Sequence, residues 1–177
     1  MLYVICHNIR SRENTGSIFR TSDAFGVDKI FLVGYTPTPP HQKISKTALG
    51  AENWIPWEKV FSPARLIKKL KKEGFFIAAL EQDGRSVHIE KFSAKGGSAS
   101  GGKYANIKKP LALIVGNEVS GIPKKILRQC DAILEIPMKG KMSRNAHHPK
   151  NHPERSRGKE SLNVAVAFGI AAFVLNA

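Results

Sequence analysis

Five short, unbroken apolar runs most constrain what this chain can fold into: LYVICH (Leu2 to His7), KIFLVG, FFIAAL, LALIVG and AILEIP. Each is rich in strand-forming residues, and none alternates apolar with polar. Such runs belong to strands buried on both faces, as in a parallel sheet covered by helices. Helical segments fall between them. TGSIFRTSDAFG turns Ile18, Phe19 and Phe25 inward and is stopped by Gly26. SPARLIKKLKKEG has Ser62 as N-cap, Pro63 in the first turn, Leu66, Ile67 and Leu70 as its apolar stripe, and Gly74 as its stop. PKKILRQC is a short helix, and a last helix opens at Ser161. The alternation predicts an α/β domain with a parallel sheet flanked by helices.

The remaining segments fit around this pattern. NWIPWEKV reads as a short edge strand, because Pro56 is unsuited to a central one. Tyr35 to Gln42 is Pro-rich loop, and Lys91 to Lys109 a flexible, Gly- and Ser-rich connection. The last helix carries Val164, Val166, Phe168, Ile170, Phe173, Val174 and Leu175, apolar almost all round. A terminal helix of that kind must be buried on more than one side, which points to a homodimer interface. With 177 residues, residues 1–177 are expected to form a single domain.

Charge narrows the class of partner. Against 14 acidic residues stand 28 Lys and Arg, giving a net charge of +14 and a pI of about 10.0. Nucleic acid is the first candidate, with a generically basic solvated surface as the bland alternative. Cys6 and Cys130 sit in apolar surroundings without CxxC spacing, as buried free thiols of a reducing compartment do. MLYVICHNIR has no signal-peptide form, and the Ala-rich run from Leu162 to Leu175 is too short to span a bilayer. The expected location is the cytoplasm, with no membrane partner.

Ligands of parallel α/β sheets bind at the carboxyl ends of the strands, and three strand ends here carry unusual residues. NIRSRENTGSIFR follows the first strand, VGNEVSGI follows LALIVG, and IPM closes the last strand with SLN further on. There is no GxGxxG and no P-loop, so a nucleotide-binding α/β regulator has little support. His147, His148 and His152 have no carboxylate or cysteine beside them on a rigid element, so no metal is expected.

NTGSIFR, IVGNEVSGI and IPM…SLNVAVAFGIAAF resemble, in order, the three motifs of the SpoU (TrmH-like) family of RNA ribose 2′-O-methyltransferases of the SPOUT class, with KISKTALGAENWIPW also similar. The likeness covers nearly the whole chain. It implies an α/β fold closed by a deep C-terminal trefoil knot, an exception to the usual avoidance of knots. It also implies a homodimer, S-adenosyl-L-methionine (SAM) as cofactor, and a ribose 2′-hydroxyl of tRNA or rRNA as methyl acceptor. By that resemblance Leu80, Gly116, Ile136 and Leu162 line the cofactor, while Ser161 and Asn163 help to hold it or the knot. Gly116 and Gly121 permit close backbone approach, Ile136 and Met138 supply apolar walls, and Glu118 accepts hydrogen bonds near the site.

The resemblance assigns the main polar role to Arg20, with Asn14 beside it. Two roles stay open for Arg20: a deprotonated base, or a clamp on a substrate phosphate. A guanidinium does not give up its proton in water at ordinary pH, which favours the clamp. Arg10, Arg12, Lys46, Lys68, Lys69, Lys71 and Lys72 form a candidate RNA footprint, although any one alone is an ordinary solvated charge. No further RNA-binding domain is expected ahead of Leu2.

Between IPM and SLN lies a polar, basic tract, MSRNAHHPKNHPERSRG (Met142 to Gly158), which the resemblance marks as an insertion. Its composition predicts a protruding mobile loop over 142–158 that folding tolerates, since closure entropy grows only slowly with loop length. Three readings compete: a neutral passenger, an added RNA-contacting arm, or a lesion that weakens SAM binding. The last defines the alternative function, a non-catalytic RNA-binding protein of the same fold with an impaired cofactor pocket.

Overall fold

The computed structural model describes residues 1–92, 109–138 and 161–176. Seven strands form one sheet: β1 (Leu2–His7), β2 (Lys29–Val33), β3 (Trp57–Val60), β4 (Phe76–Leu80), β5 (Val87–His88), β6 (Leu111–Val115) and β7 (Ala132–Glu135). Their spatial order is β3-β2-β1-β6-β4-β7-β5. Every pairing in it is parallel. The expected parallel α/β sheet is therefore present, and the Pro56-flanked strand β3 is its edge. The two-residue β5 at the opposite edge is too short to leave a sequence signal.

Helices cover both faces. On one side lie α1 (Arg12–Ala24), α2 (Gln42–Ala48) and α5 (Val164–Asn176); on the other lie α3 (Pro63–Lys72) and α4 (Lys124–Leu127). Ile18, Phe19 and Phe168 pack against Val4, Leu113 and Leu134 in the first layer. Leu66, Ile67 and Leu70 meet Ile5, Ile77 and Ile114 in the second. Strand residues thus send alternate side chains into two separate cores, which is why the strands are apolar throughout.

Local chemistry sets the helix ends. Ser11 caps α1, its Oγ accepting from Asn14 N at 3.1 Å, and Gly26 follows the last turn at φ +62°. Ser62 caps α3 with Pro63 beside it, as expected. Gln42, expected to end a loop, instead begins α2, whose Ile44 and Ala48 are buried. The His41 side chain caps that helix by accepting from Lys43 N at 3.1 Å.

The last helix differs from expectation in where it starts. It begins at Val164, not Ser161. Asn163 Oδ1 accepts from Ala165 N at 2.9 Å and Val166 N at 3.3 Å, so this asparagine is the cap and Ser161 and Leu162 stand before it. Within one chain its apolar surface is covered on one side only. Phe168, Ala171 and Leu175 are buried, whereas Val166, Ile170 and Phe173 are 54%, 37% and 61% exposed. Cys6 is buried but Cys130 only half-buried. No helix among the described residues is long and apolar enough to cross a membrane. Most of the Lys91–Lys109 connection and the whole 142–158 tract lie outside the described residues.

Candidate active site

The chain after β1 runs outward to β2, while β6 and β4 lie on the other side of β1. The order of the sheet thus turns at the β1/β6 boundary, and the loops leaving those strands meet over its carboxyl edge. Asn117 sits at the meeting point, buried in the loop after β6. Its Nδ2 donates to Asn8 O at 2.8 Å and to Tyr35 Oη at 2.7 Å. Its Oδ1 accepts from Val119 N and Ser120 N at 2.9 and 2.8 Å, turning the loop back on itself.

Glu118 then reaches the start of α1. Its carboxylate accepts from Arg10 N at 2.9 Å, Ser11 N at 3.1 Å and Asn14 Nδ2 at 2.8 Å. Asn14 Oδ1 in turn accepts from Asn163 Nδ2 at 3.0 Å. One polar chain therefore joins residues from all three sequence motifs. Partial burial pushes the Glu118 carboxyl up, but the Arg10 N–H, the Asn14 amide and the Ser11 N–H outweigh it and hold the group below the ordinary carboxylate range. The anion also faces the positive end of the α1 dipole.

Beside this network opens a cavity of about 400 Å³. Leu80, Val115, Gly116, Ile136 and Met138 wall it at the ends of β4, β6 and β7, and Ser161, Leu162 and Val164 close it from the start of α5. Six of the seven residues expected to hold the cofactor, Leu80, Gly116, Ile136, Met138, Ser161 and Leu162, are brought together there. Asn163 is not part of the lining and touches the site through Asn14. Glu118 lines the cavity, but Arg20 does not, lying exposed on α1.

Two glycines make the cavity's shape possible. A Cβ on Gly116 would stand 2.5 Å from Ile122 Cγ1 and 2.9 Å from the backbone N of Ile122, so the loop after β6 can fold back only over a glycine. Gly121 has φ +66° and leaves room for the Glu81 carboxylate, which a Cβ there would strike. Glu81 Oε2 accepts from Ile122 N at 2.9 Å and so fastens this loop to β4. Sequence reasoning missed Glu81, Gln82, Asn117 and Glu135 as lining residues. Their one signal is position beside the residues that the motifs mark.

These features can be set against known proteins. The family model for the SpoU rRNA Methylase family matches residues 1–147. The chain belongs to that family. Among its relatives, the tRNA (guanosine(18)-2′-O)-methyltransferase of Aquifex aeolicus is 29% identical over 97% of this chain and 67% of its own length. The 23S rRNA (guanosine-2′-O-)-methyltransferase RlmB of Vibrio parahaemolyticus is 28% identical over 97% of this chain and 57% of its own. The crystal structure of AdoMet-bound rRNA methyltransferase from Sinorhizobium meliloti superimposes with a TM-score of 0.75 at 27% identity, covering 98% of this chain and 54% of that one. The chain spans roughly half to two thirds of the length of the curated SpoU relatives it matches.

Proposed function

We propose that this SpoU-family chain transfers a methyl group from SAM to a ribose 2′-hydroxyl of tRNA or rRNA. One observation carries the reading: residues of the second and third sequence motifs line one cavity, and a hydrogen-bonded chain from Glu118 through Asn14 to Asn163 ties the first motif to them beside it. The names of the relatives support the RNA class and the 2′-hydroxyl, and the AdoMet-bound neighbour supports the cofactor.

The residues present suit such a cofactor. A cavity of this size lies within the range of small-molecule sites. Its apolar walls, Leu80, Ile136, Met138 and Leu162, match an adenine ring, and the carboxylates of Glu81, Glu118 and Glu135 at its lining match a ligand bearing positive charge. The cofactor supplies a methyl group already activated on a sulfonium. What remains for the protein is to hold the acceptor in line and to exclude competing geometries. Glu118, held ionised by three donors, is a poor proton acceptor; it positions Asn14 and the start of α1. Arg20 is the proposed phosphate clamp. Its side chain is exposed and, among the described residues, has no ion-pair partner, so it can meet an RNA phosphate.

The same reading includes a homodimer that covers the exposed Val166–Ile170–Phe173 face of α5, and a deep C-terminal trefoil knot. It also includes a cytoplasmic location and one domain over 1–177. The rival reading, a pocket impaired by the 142–158 tract, finds no support at the flanks: Ile136 and Met138 before the tract and Ser161 and Leu162 after it line one cavity.

The test is calorimetric titration of S-adenosylhomocysteine into the chain and into a version lacking Met142 to Gly158, followed by transfer of labelled methyl to unmodified tRNA and rRNA transcripts. Binding and transfer by the intact chain are expected. Binding only after deletion would revive the rival, and no binding by either folded protein would remove the cofactor reading.

A further inference from the structure

The cavity poses an electrostatic difficulty for the proposed substrate. Glu81, Glu118 and Glu135 line it, so its immediate surroundings do not attract a polyanion. Affinity for RNA must come from cations elsewhere. The helix α3 supplies them in an ordered array. Arg65, Lys68, Lys69 and Lys72 follow the i, i+3, i+4, i+7 spacing of a single helix face, directly opposite the buried Leu66, Ile67 and Leu70. Over about 10 Å of helix they line a shallow surface groove with Glu73 at its end. Among the described residues none of the four has an ion-pair partner. Lys71, in the middle of the same run, points elsewhere and pairs with Asp131 at 2.7 Å. The structure thus divides a stretch that looks uniformly basic in sequence into one ion-paired cation and four without an ion pair among the described residues, of which Lys69 lies near enough to Glu58 to feel its charge.

Position favours a role in substrate binding. The end of β3 at Val60 leads through Phe61 and Ser62 into α3, so Phe61 and Arg65 stand at the carboxyl edge of the sheet, the same edge as the cavity but at the outer strand β3, three strands from β6. Phe61 is 82% exposed. An exposed aromatic beside a basic groove is the pairing used to hold single-stranded nucleic acid, with cations on the backbone and a ring under a base. We propose that the Arg65–Lys68–Lys69–Lys72 face of α3, with Phe61 at its head, is an RNA-docking surface that delivers the substrate to the cavity. This rests on the proposed function above and adds to it where the RNA is held.

The test uses the full chain and a labelled, unmodified tRNA transcript, with binding followed by fluorescence anisotropy across a salt series. Arg65→Gln/Lys68→Gln/Lys69→Gln/Lys72→Gln is expected to lower affinity at least tenfold and to flatten the slope of log K against log salt by about 3, roughly 0.7 for each phosphate no longer neutralised. Lys68→Gln/Lys69→Gln should lose clearly more affinity than Lys29→Gln/Lys71→Gln, which removes the same charge from ion-paired sites. Phe61→Ser should weaken binding at least about fivefold with no change in slope, since stacking releases no counterions. S-adenosylhomocysteine affinity should be unchanged in all of these variants. An unaltered slope in the quadruple variant, or equal losses in the two double variants, would overturn the docking surface. Absence of tRNA binding by the unaltered chain would overturn it together with the RNA part of the proposed function, while retained S-adenosylhomocysteine binding would leave the cofactor part standing.

Discussion

Asn14 and Glu118, 104 residues apart in sequence, are joined by a 2.8 Å hydrogen bond from the amide Nδ2 to the carboxylate Oε1. Through it the start of α1 is tied to the loop after β6, and the Asn163 cap of α5 attaches to the same pair at 3.0 Å.

Glu118→Gln tests that link. A glutamine keeps the shape but presents an NH₂ to a site made of N–H donors, so at least one donor loses its acceptor. The expected cost is about 1–2 kcal/mol of stability, read by urea denaturation at pH 7, with a clear loss of methyl transfer. The pH dependence follows in sign. A carboxyl whose folded-state pKa lies below its ordinary value stabilises the fold above the ordinary carboxylate range and loses that contribution as pH falls through the folded value. The stability difference between wild type and Glu118→Gln should therefore shrink in acid; a gap that does not narrow as pH falls below the ordinary carboxylate range would contradict it.

Gly116→Ala places a methyl against Ile122, whose backbone N would be 2.9 Å away and cannot retreat without losing its bond to Glu81. A destabilisation of about 1–3 kcal/mol is expected. S-adenosylhomocysteine affinity should fall at least tenfold in calorimetry at a temperature where the variant is folded. Unchanged affinity would separate the glycine from the cavity.

Arg20→Ala should leave the melting temperature and S-adenosylhomocysteine binding within error of wild type, because the side chain is exposed and has no ion-pair partner among the described residues. Methyl transfer should drop by about 100-fold or more, the usual scale for losing a charge-stabilising donor. Arg20→Lys should recover part of it, since an ammonium still holds phosphate as a point charge. Full activity in Arg20→Ala would dismiss the clamp.

The exposed side of α5 makes the next expectation. Val166→Asp/Phe173→Asp introduces charges on a face that is open in the single chain. If this face is the homodimer interface, sedimentation equilibrium should show the dimer at wild type and monomer in the variant. A dimer unaffected by both changes would locate the interface elsewhere.

The two thiols provide a chemical probe of packing. Burial pushes both Cys6 and Cys130 up to about 12. Their thiolate fraction near pH 8 is then lower than that of a free thiol by about a thousandfold. Ellman's reagent should react slowly with the native protein, first at the half-buried Cys130, and with both on unfolding. Rapid reaction of two equivalents in the native state would show that the β1 core opens.

Much of the architecture is legible in the residues because local rules govern it. Unbroken apolar runs specify strands buried on two faces, and Ser62, Pro63 and Gly74 bound α3 without reference to anything distant. The short α2 is not legible. Its helix depends on a histidine cap and on burial of only Ile44 and Ala48, and a Pro-rich loop precedes it. The opening of α5 misleads for a similar reason: Ser161 looks like a cap, but Asn163, two residues on, holds the free N–H groups.

The sequence by itself determined the strands and helices other than α2 and β5, and its likeness to the SpoU family marked Asn163 and the six residues Leu80, Gly116, Ile136, Met138, Ser161 and Leu162 as a set. The elements depend on periodicity, capping and side-chain type, all of which act over a few residues, whereas the site residues rest on the resemblance. Only the tertiary structure decided that these six share one cavity while Arg20 stands outside it, that Glu81 fastens the loop after β6, and that Lys71 is paired while Lys68 and Lys69 have no ion-pair partner among the described residues. Hydrogen bonds and ion pairs act over about 3 Å, so which groups meet depends on strand order in the sheet.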